Sequence, residues 1–118
     1  MRYLSIIRLD PSKAPAGGPS PELMERMGAL MKEMTEAGVM LDTAGLKQEG
    51  VRIVGDHGRI TVLDGPYTEA KEVIGGYCLV NTRTQEEAVE WARRFVEIHG
   101  EEWELMCEVR PLDEAPEQ

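Results

Sequence analysis

The chain has 118 residues and a mass of 13.2 kDa, room for a single domain over residues 1–118. At this length roughly two-thirds of the unfolded surface is buried on folding, so neither metal nor disulfide is needed. A composition 42% hydrophobic and 30% charged is globular rather than disordered, and a formal net charge of -9 with a pI near 4.7 sets aside nucleic acid and anionic membranes as partners.

Arg2 to Leu9 predicts a strand, with Tyr3, Ile7 and Leu9 on one face and Leu4, Ile6 and Arg8 on the other. Apolar residues on both faces imply a central strand covered on both sides. Leu4 to Ile7 is far too short for a signal-peptide core or a membrane span, so a cytoplasmic location is expected. Asp10 to Pro21, with four prolines and Gly17-Gly18, reads as a loop. Ser20, Pro21 and Glu22 then open a helix that should run to Ala37 and stop at Gly38. Its seam of Leu23, Met27, Leu30 and Met34 is widened by Met24 and Met31. Core packing accounts for that seam, and an adaptable ligand-binding wall is the sharper alternative.

Val39 to Leu46 predicts a second strand. Val51 to Val54 and Arg59 to Leu63 flank the turn-forming Gly55-Asp56-His57-Gly58 and predict a hairpin. Val73 to Val80 is the next strand, with Gly75-Gly76 marking a bulge or a close approach. Thr84 and Glu87, at capping-box spacing, open a helix that buries Ala88, Trp91, Ala92 and Phe95 and ends at His99-Gly100. Trp103 to Arg110 is the last strand, and the acidic tail over 111–118 is expected to fray. Cys78 and Cys107, without Cys-x-x-Cys spacing, read as buried reduced thiols.

This order is a split βαβ repeat with an inserted hairpin, a ferredoxin-like α+β sandwich with both helices on one face of an antiparallel sheet. Leu4, Ile6 and Met106 should share the other face with Arg8, Glu108 and Arg110. A surface that apolar predicts a homodimer pairing its sheets back to back, with a cleft where the charges gather.

The most distinctive stretch is Asp64-Gly65-Pro66-Tyr67-Thr68-Glu69-Ala70-Lys71-Glu72. A rigid Gly-Pro turn followed by a phenol, two acids and a lysine can hold polar side chains over a pocket, or simply brace neighbouring strands. With Gly75-Gly76-Tyr77 after it, this segment resembles the YCII-related domain family, in the branch named for an Asp-Gly-Pro-Phe motif. Tyr67 in place of phenylalanine keeps the ring and adds a hydroxyl. The similarity takes in Met1-Arg2-Tyr3-Leu4, Gly45-Leu46, Glu87 to Ala92 and Glu108-Val109-Arg110-Pro111. It implies a ferredoxin-like protomer of the dimeric α+β barrel type, from a branch of small bacterial proteins sometimes encoded beside sigma factors. A related branch carries a His-Asp pair. Here His57 lies in the hairpin turn and His99 at a helix end, and neither suits a general base.

Three functions follow as expectations. A small organic ligand would bind in a polar cleft of Arg8, Asp64, Tyr67, Glu69, Lys71, Glu108 and Arg110, the two arginines gripping a carboxylate or phosphate. As an enzyme, the same cleft would isomerise or decarboxylate a small oxygenated metabolite, with Asp64 or Glu69 as base and Arg8, Lys71 or Arg110 stabilising an oxyanion. A protein–protein role linked to sigma-factor regulation rests on the resemblance alone. No cofactor and no metal is expected, since Glu86, Glu87, Glu101, Glu102 and Glu104 have no partnered histidine and no calcium-loop pattern.

Overall fold

A computed structural model of the chain describes residues 1–65 and 73–114. Strand β1 (Arg2–Leu9) leads through a 3-10 turn at Pro11–Lys13 into helix α1 (Pro21–Glu36). Strand β2 (Met40–Gly45), the hairpin β3 (Val51–Asp56) and β4 (Arg59–Asp64), and strand β5 (Val73–Asn81) follow. Helix α2 (Gln85–Glu97) and strand β6 (Met106–Pro111) complete the order.

Local chemistry sets the boundaries. Ser20 Oγ accepts the Leu23 N–H at 3.1 Å to cap α1, and Gly38 ends it at φ +75°. Thr84 Oγ1 accepts the Glu87 N–H at 3.2 Å to cap α2, while the Glu87 carboxylate reaches back to the Arg83 N–H at 3.3 Å, one residue beyond the usual box partner. His57 and Gly58 both take positive φ between paired Asp56 and Arg59, the two-residue turn whose twist suits a hairpin. Gly55 and Asp56 therefore belong to β3 rather than to the turn.

The main sheet has the order β2-β5-β1-β6 and is antiparallel throughout. Two βαβ units interleave in it, which makes the protomer a ferredoxin-like α+β fold. Tyr3 and Val80, each 1% exposed, face α1 and α2 and pack with Leu30, Met34, Val39 and Ala88. Arg94 binds both carboxylate oxygens of Glu33, at 2.9 and 2.6 Å, and ties α2 to α1 over this core. That pairing holds the Glu33 carboxyl below its ordinary pKa.

Strand β6 departs from expectation at both ends. β6 starts at Met106 rather than Trp103 because its partner β1 stops at Leu9, just past the Arg8–Met106 pair, so residues 103–105 have no strand to join. Trp103 instead sets its ring edge-on to His99, with centroids 5.6 Å apart. At the other end the pairing continues past Arg110: Pro111 lies opposite Tyr3, the Leu112 N–H donates to Arg2 O at 3.1 Å, and Arg2 pairs with Glu114.

Both readings of Gly75-Gly76 apply. The register jumps from Ile7–Gly76 to Arg8–Ile74, leaving Gly75 as the extra residue of a bulge. A Cβ on Gly76 would lie 2.8 Å from the Ala44 carbonyl oxygen and 3.4 Å from Gly45 Cα, so β2 runs too close to β5 for any side chain there.

Candidate functional site

Side chains on the helix-facing side of the sheet shrink along β2 and β5. Tyr3, Val80 and Met40 make a bulky row; Ser5, Cys78 and Thr43 follow, then Ile7, Gly76 and Gly45. The helices meet the first row and cannot follow the floor down to the last. The result is a hollow of about 530 Å³ between the two layers, within the ~300–1,000 Å³ range of small-molecule sites.

Each element gives the hollow a different wall. From α1 come Met24, Met27, Gly28, Met31 and Met34, one stripe at helical spacing; Met34 is buried, and Met24 and Gly28 are exposed at the mouth. From α2 and the turn beyond it come Trp91, Ala92, Phe95 and His99. Ile7, Leu9, Gly45, Gly75, Gly76 and Cys107 contribute the floor. Flexible thioethers on one side and a rigid aromatic pair on the other make a surface that adapts to shape and holds a flat occupant. The wall reading of the methionine seam thus describes Met24, Met27 and Met31, and the core reading describes Met34.

The polar groups in this wall are mostly satisfied internally. Thr43 Oγ1 donates to Tyr77 O at 2.9 Å, and the Cys78 thiol points to Met40 Sδ at 3.5 Å. His99 Nδ1 lies 2.8 Å from Phe95 O; a carbonyl only accepts, so Nδ1 carries the proton. Cys78 and Cys107 are free and partly buried. Burial pushes the Cys78 thiol up to about 11, partly offset by a hydrogen bond with Thr43, and burial likewise raises Cys107. Both thiols are therefore expected to stay protonated and to react slowly with iodoacetamide near neutral pH, the rate at Cys78 climbing as pH approaches 11. The unfolded chain ionises at about 9.0 and the fold retains its proton longer, so Cys78 stabilises the fold below that pH and the contribution is lost as pH rises through 11. Fast labelling of the folded protein at pH 8, at the rate of the denatured chain, would contradict this.

The residues named from sequence fall elsewhere. On the sheet face away from the helices, one row reads Asp42, Leu79, Leu4, Arg110, the next Ala44, Tyr77, Ile6, Glu108, and a third Ile74, Arg8, Met106. Leu4, Ile6 and Met106 do share a face with Arg8, Glu108 and Arg110. Arg8 Nε donates to Glu108 Oε1 at 3.3 Å, so part of its charge is already answered; half-exposed, such a pair contributes about 1 kcal/mol at most. On the same face the Tyr77 hydroxyl donates to Asp42 Oδ2 at 2.8 Å, which raises the phenol's pKa. Asp64 is exposed at the base of the hairpin, beside the Gly65 N–H to Gly50 O bond of 2.8 Å. Tyr67, Glu69 and Lys71 lie outside the described residues. Arg8, Asp64, Glu108 and Arg110 are not among the residues lining the hollow. His57, in the hairpin turn, is 96% exposed and bonds its neighbour Asp56 at 2.6 Å.

Beyond the methionine seam, the hollow escaped the sequence reading because its floor depends on register. One signal was available: Gly28 sits mid-helix, where glycine costs about 1 kcal/mol relative to alanine, and a position that tolerates this usually has a packing or functional reason.

Among the described residues no helix is long and apolar enough to cross a membrane, and no three His, Cys, Asp or Glu side chains gather as a metal site. The family model for the YCII-related domain matches residues 1–106. A search of curated proteins gives no match.

Proposed function

The chain belongs to the YCII-related domain family, and from that premise we propose that it is a small-molecule-binding protein whose ligand enters the hollow between its helices and its sheet. The observation that carries this reading is the hollow itself: about 530 Å³ opening between exposed Met24 and Gly28 in a chain that packs tightly at the other end of the same layers. A void of that size lined by apolar groups forfeits dispersion contacts, and an occupant restores them. The neutral dye phenylnaphthylamine is expected to fluoresce on mixing with the protein at one site per chain, and Met31→Trp, which fills the space, is expected to abolish the signal. No enhancement, or enhancement indifferent to Met31→Trp, would remove the hollow as the site.

The functional unit in this reading is a homodimer joined through the sheet faces that carry no helix. Leu4, Ile6, Tyr77 and Leu79 form an apolar centre there, ringed by Arg8, Asp42, Glu108 and Arg110. Burying the centre stabilises association by roughly 25 cal/mol per Å² of apolar area, and the alternating charges fix the register of one copy on the other. Arg8, Glu108 and Arg110, on that same face, would frame the polar cleft expected from the sequence. Leu79→Arg is expected to convert the dimer to single subunits in sedimentation velocity, while dye uptake persists because the hollow lies on the opposite face. A wild-type protein sedimenting as one subunit at working concentration would end the dimer reading alone.

The support for the acid–base reading is thinner. Asp64, its best candidate, is exposed and is not among the residues lining the hollow.

A further inference from the structure

Among the described residues that line the hollow there is no Asp, Glu, Lys or Arg. An ion placed there would lose its hydration and meet no countercharge, at a cost of several kcal/mol. The carboxylate or phosphate expected from the arginines of the open face is therefore the wrong guest for this space. The wall polar groups narrow the choice further. Thr43 and Cys78 spend their protons within the protein, and Ser5, which also lines the hollow, hydrogen-bonds Cys107. His99 spends Nδ1–H on Phe95 O, with its ring held between Phe95, 4.8 Å away by centroids, and Trp103. With Nδ1 carrying the proton, the ring has one group left, the Nε2 lone pair, and it can only accept.

We propose that the hollow takes an uncharged, largely apolar molecule bearing one hydroxyl or N–H, whose proton His99 accepts at Nε2. This rests on the hollow being a ligand site and adds the chemical class of the ligand. Apolar walls of methionine, Trp91 and Phe95 hold the body by dispersion and stacking. The Nε2 acceptor fixes which end points toward the turn after α2. Fixing that ring is the work of the Phe95 carbonyl, which selects the tautomer, so orientation comes from the helix end rather than from a charged clamp.

The test compares naphthol, naphthalene and naphthoate at neutral pH, followed by quenching of the fluorescence of Trp91 and Trp103 and by displacement of phenylnaphthylamine. Naphthol is expected to bind at least about tenfold tighter than naphthoate, because only the anion is stripped of water without a partner. It is expected to exceed naphthalene by up to about tenfold, the worth of one hydrogen bond. In His99→Phe, which keeps the aromatic packing on Phe95 and Trp103, that second margin should vanish while naphthalene is unaffected. Naphthoate binding as tightly as naphthol overturns the proposal while leaving the hollow as a site, and loss of that affinity in Lys71→Ala would trace it to the loop. A naphthol margin that persists in His99→Phe overturns the role of Nε2. Should His99→Phe fail to fold, the wild-type ranking of naphthol against naphthoate still decides the ligand class. Dye uptake with no binding of any of the three overturns the proposal, and absence of dye uptake overturns the underlying reading instead.

Discussion

In Gly28→Leu the midpoint of thermal unfolding should rise by about 4 °C while affinity for phenylnaphthylamine falls at least about tenfold. The two effects have one cause. Gly28 lies halfway along α1, where a residue without Cβ costs about 1 kcal/mol of helix stability against alanine. A Cβ built there meets nothing within 4 Å, so leucine restores that stability with no clash. Helical side chains lean toward the N-terminus, which carries this one toward Met24, across the mouth of the hollow. Stability gained together with binding lost is the signature of a position kept open for function. A leucine that stabilises and leaves dye uptake intact would show the mouth to be elsewhere. Gly28→Ala separates the two: most of the stabilisation should remain, with little obstruction.

Gly76→Val should destabilise the fold by about 3 kcal/mol, whereas Gly75→Ala should cost less than about 1 kcal/mol. The glycines are adjacent, and the contrast lies in what each Cβ would strike. At Gly76 the obstacle is the backbone of β2, the Ala44 carbonyl oxygen at 2.8 Å, which cannot yield without breaking the pairing of Ala44 with Tyr77 and Gly45 with Gly76. At Gly75 it is Leu9 Cδ2 at 2.6 Å, the tip of a flexible side chain that can turn aside. Because Gly45 and Gly76 also form the floor, Gly76→Val should lose dye uptake with its stability. Denaturant titration of the two variants gives the comparison, and equal costs would mean that β2 is free to move away from β5.

The extent to which the sequence could be read varied with the range of the interaction concerned. Ser20, Gly38, Thr84 and Gly100 marked the helix ends because a cap acts within four residues and needs no tertiary partner. The alternation in β1 assigned Leu4, Ile6 and Arg8 to one face for the same reason. Trp103 to Leu105 alternate as a strand would and form none, because a strand also requires a neighbour and β1 ends too soon. The polar loop residues drew the eye because titratable groups are conspicuous in a sequence. An empty space is marked by small and apolar residues, and these look the same whether they pack or enclose.

Composition, capping and period by themselves determined an acidic chain with two amphipathic helices in the split βαβ order, since each is written in neighbours along the chain. Only the tertiary structure decided that Ile7, Gly45 and Gly76 lie side by side beneath Gly28 and Met31. Those residues come from four segments, and the volume they leave open is a property of cross-strand register and layer spacing, which no local stretch encodes.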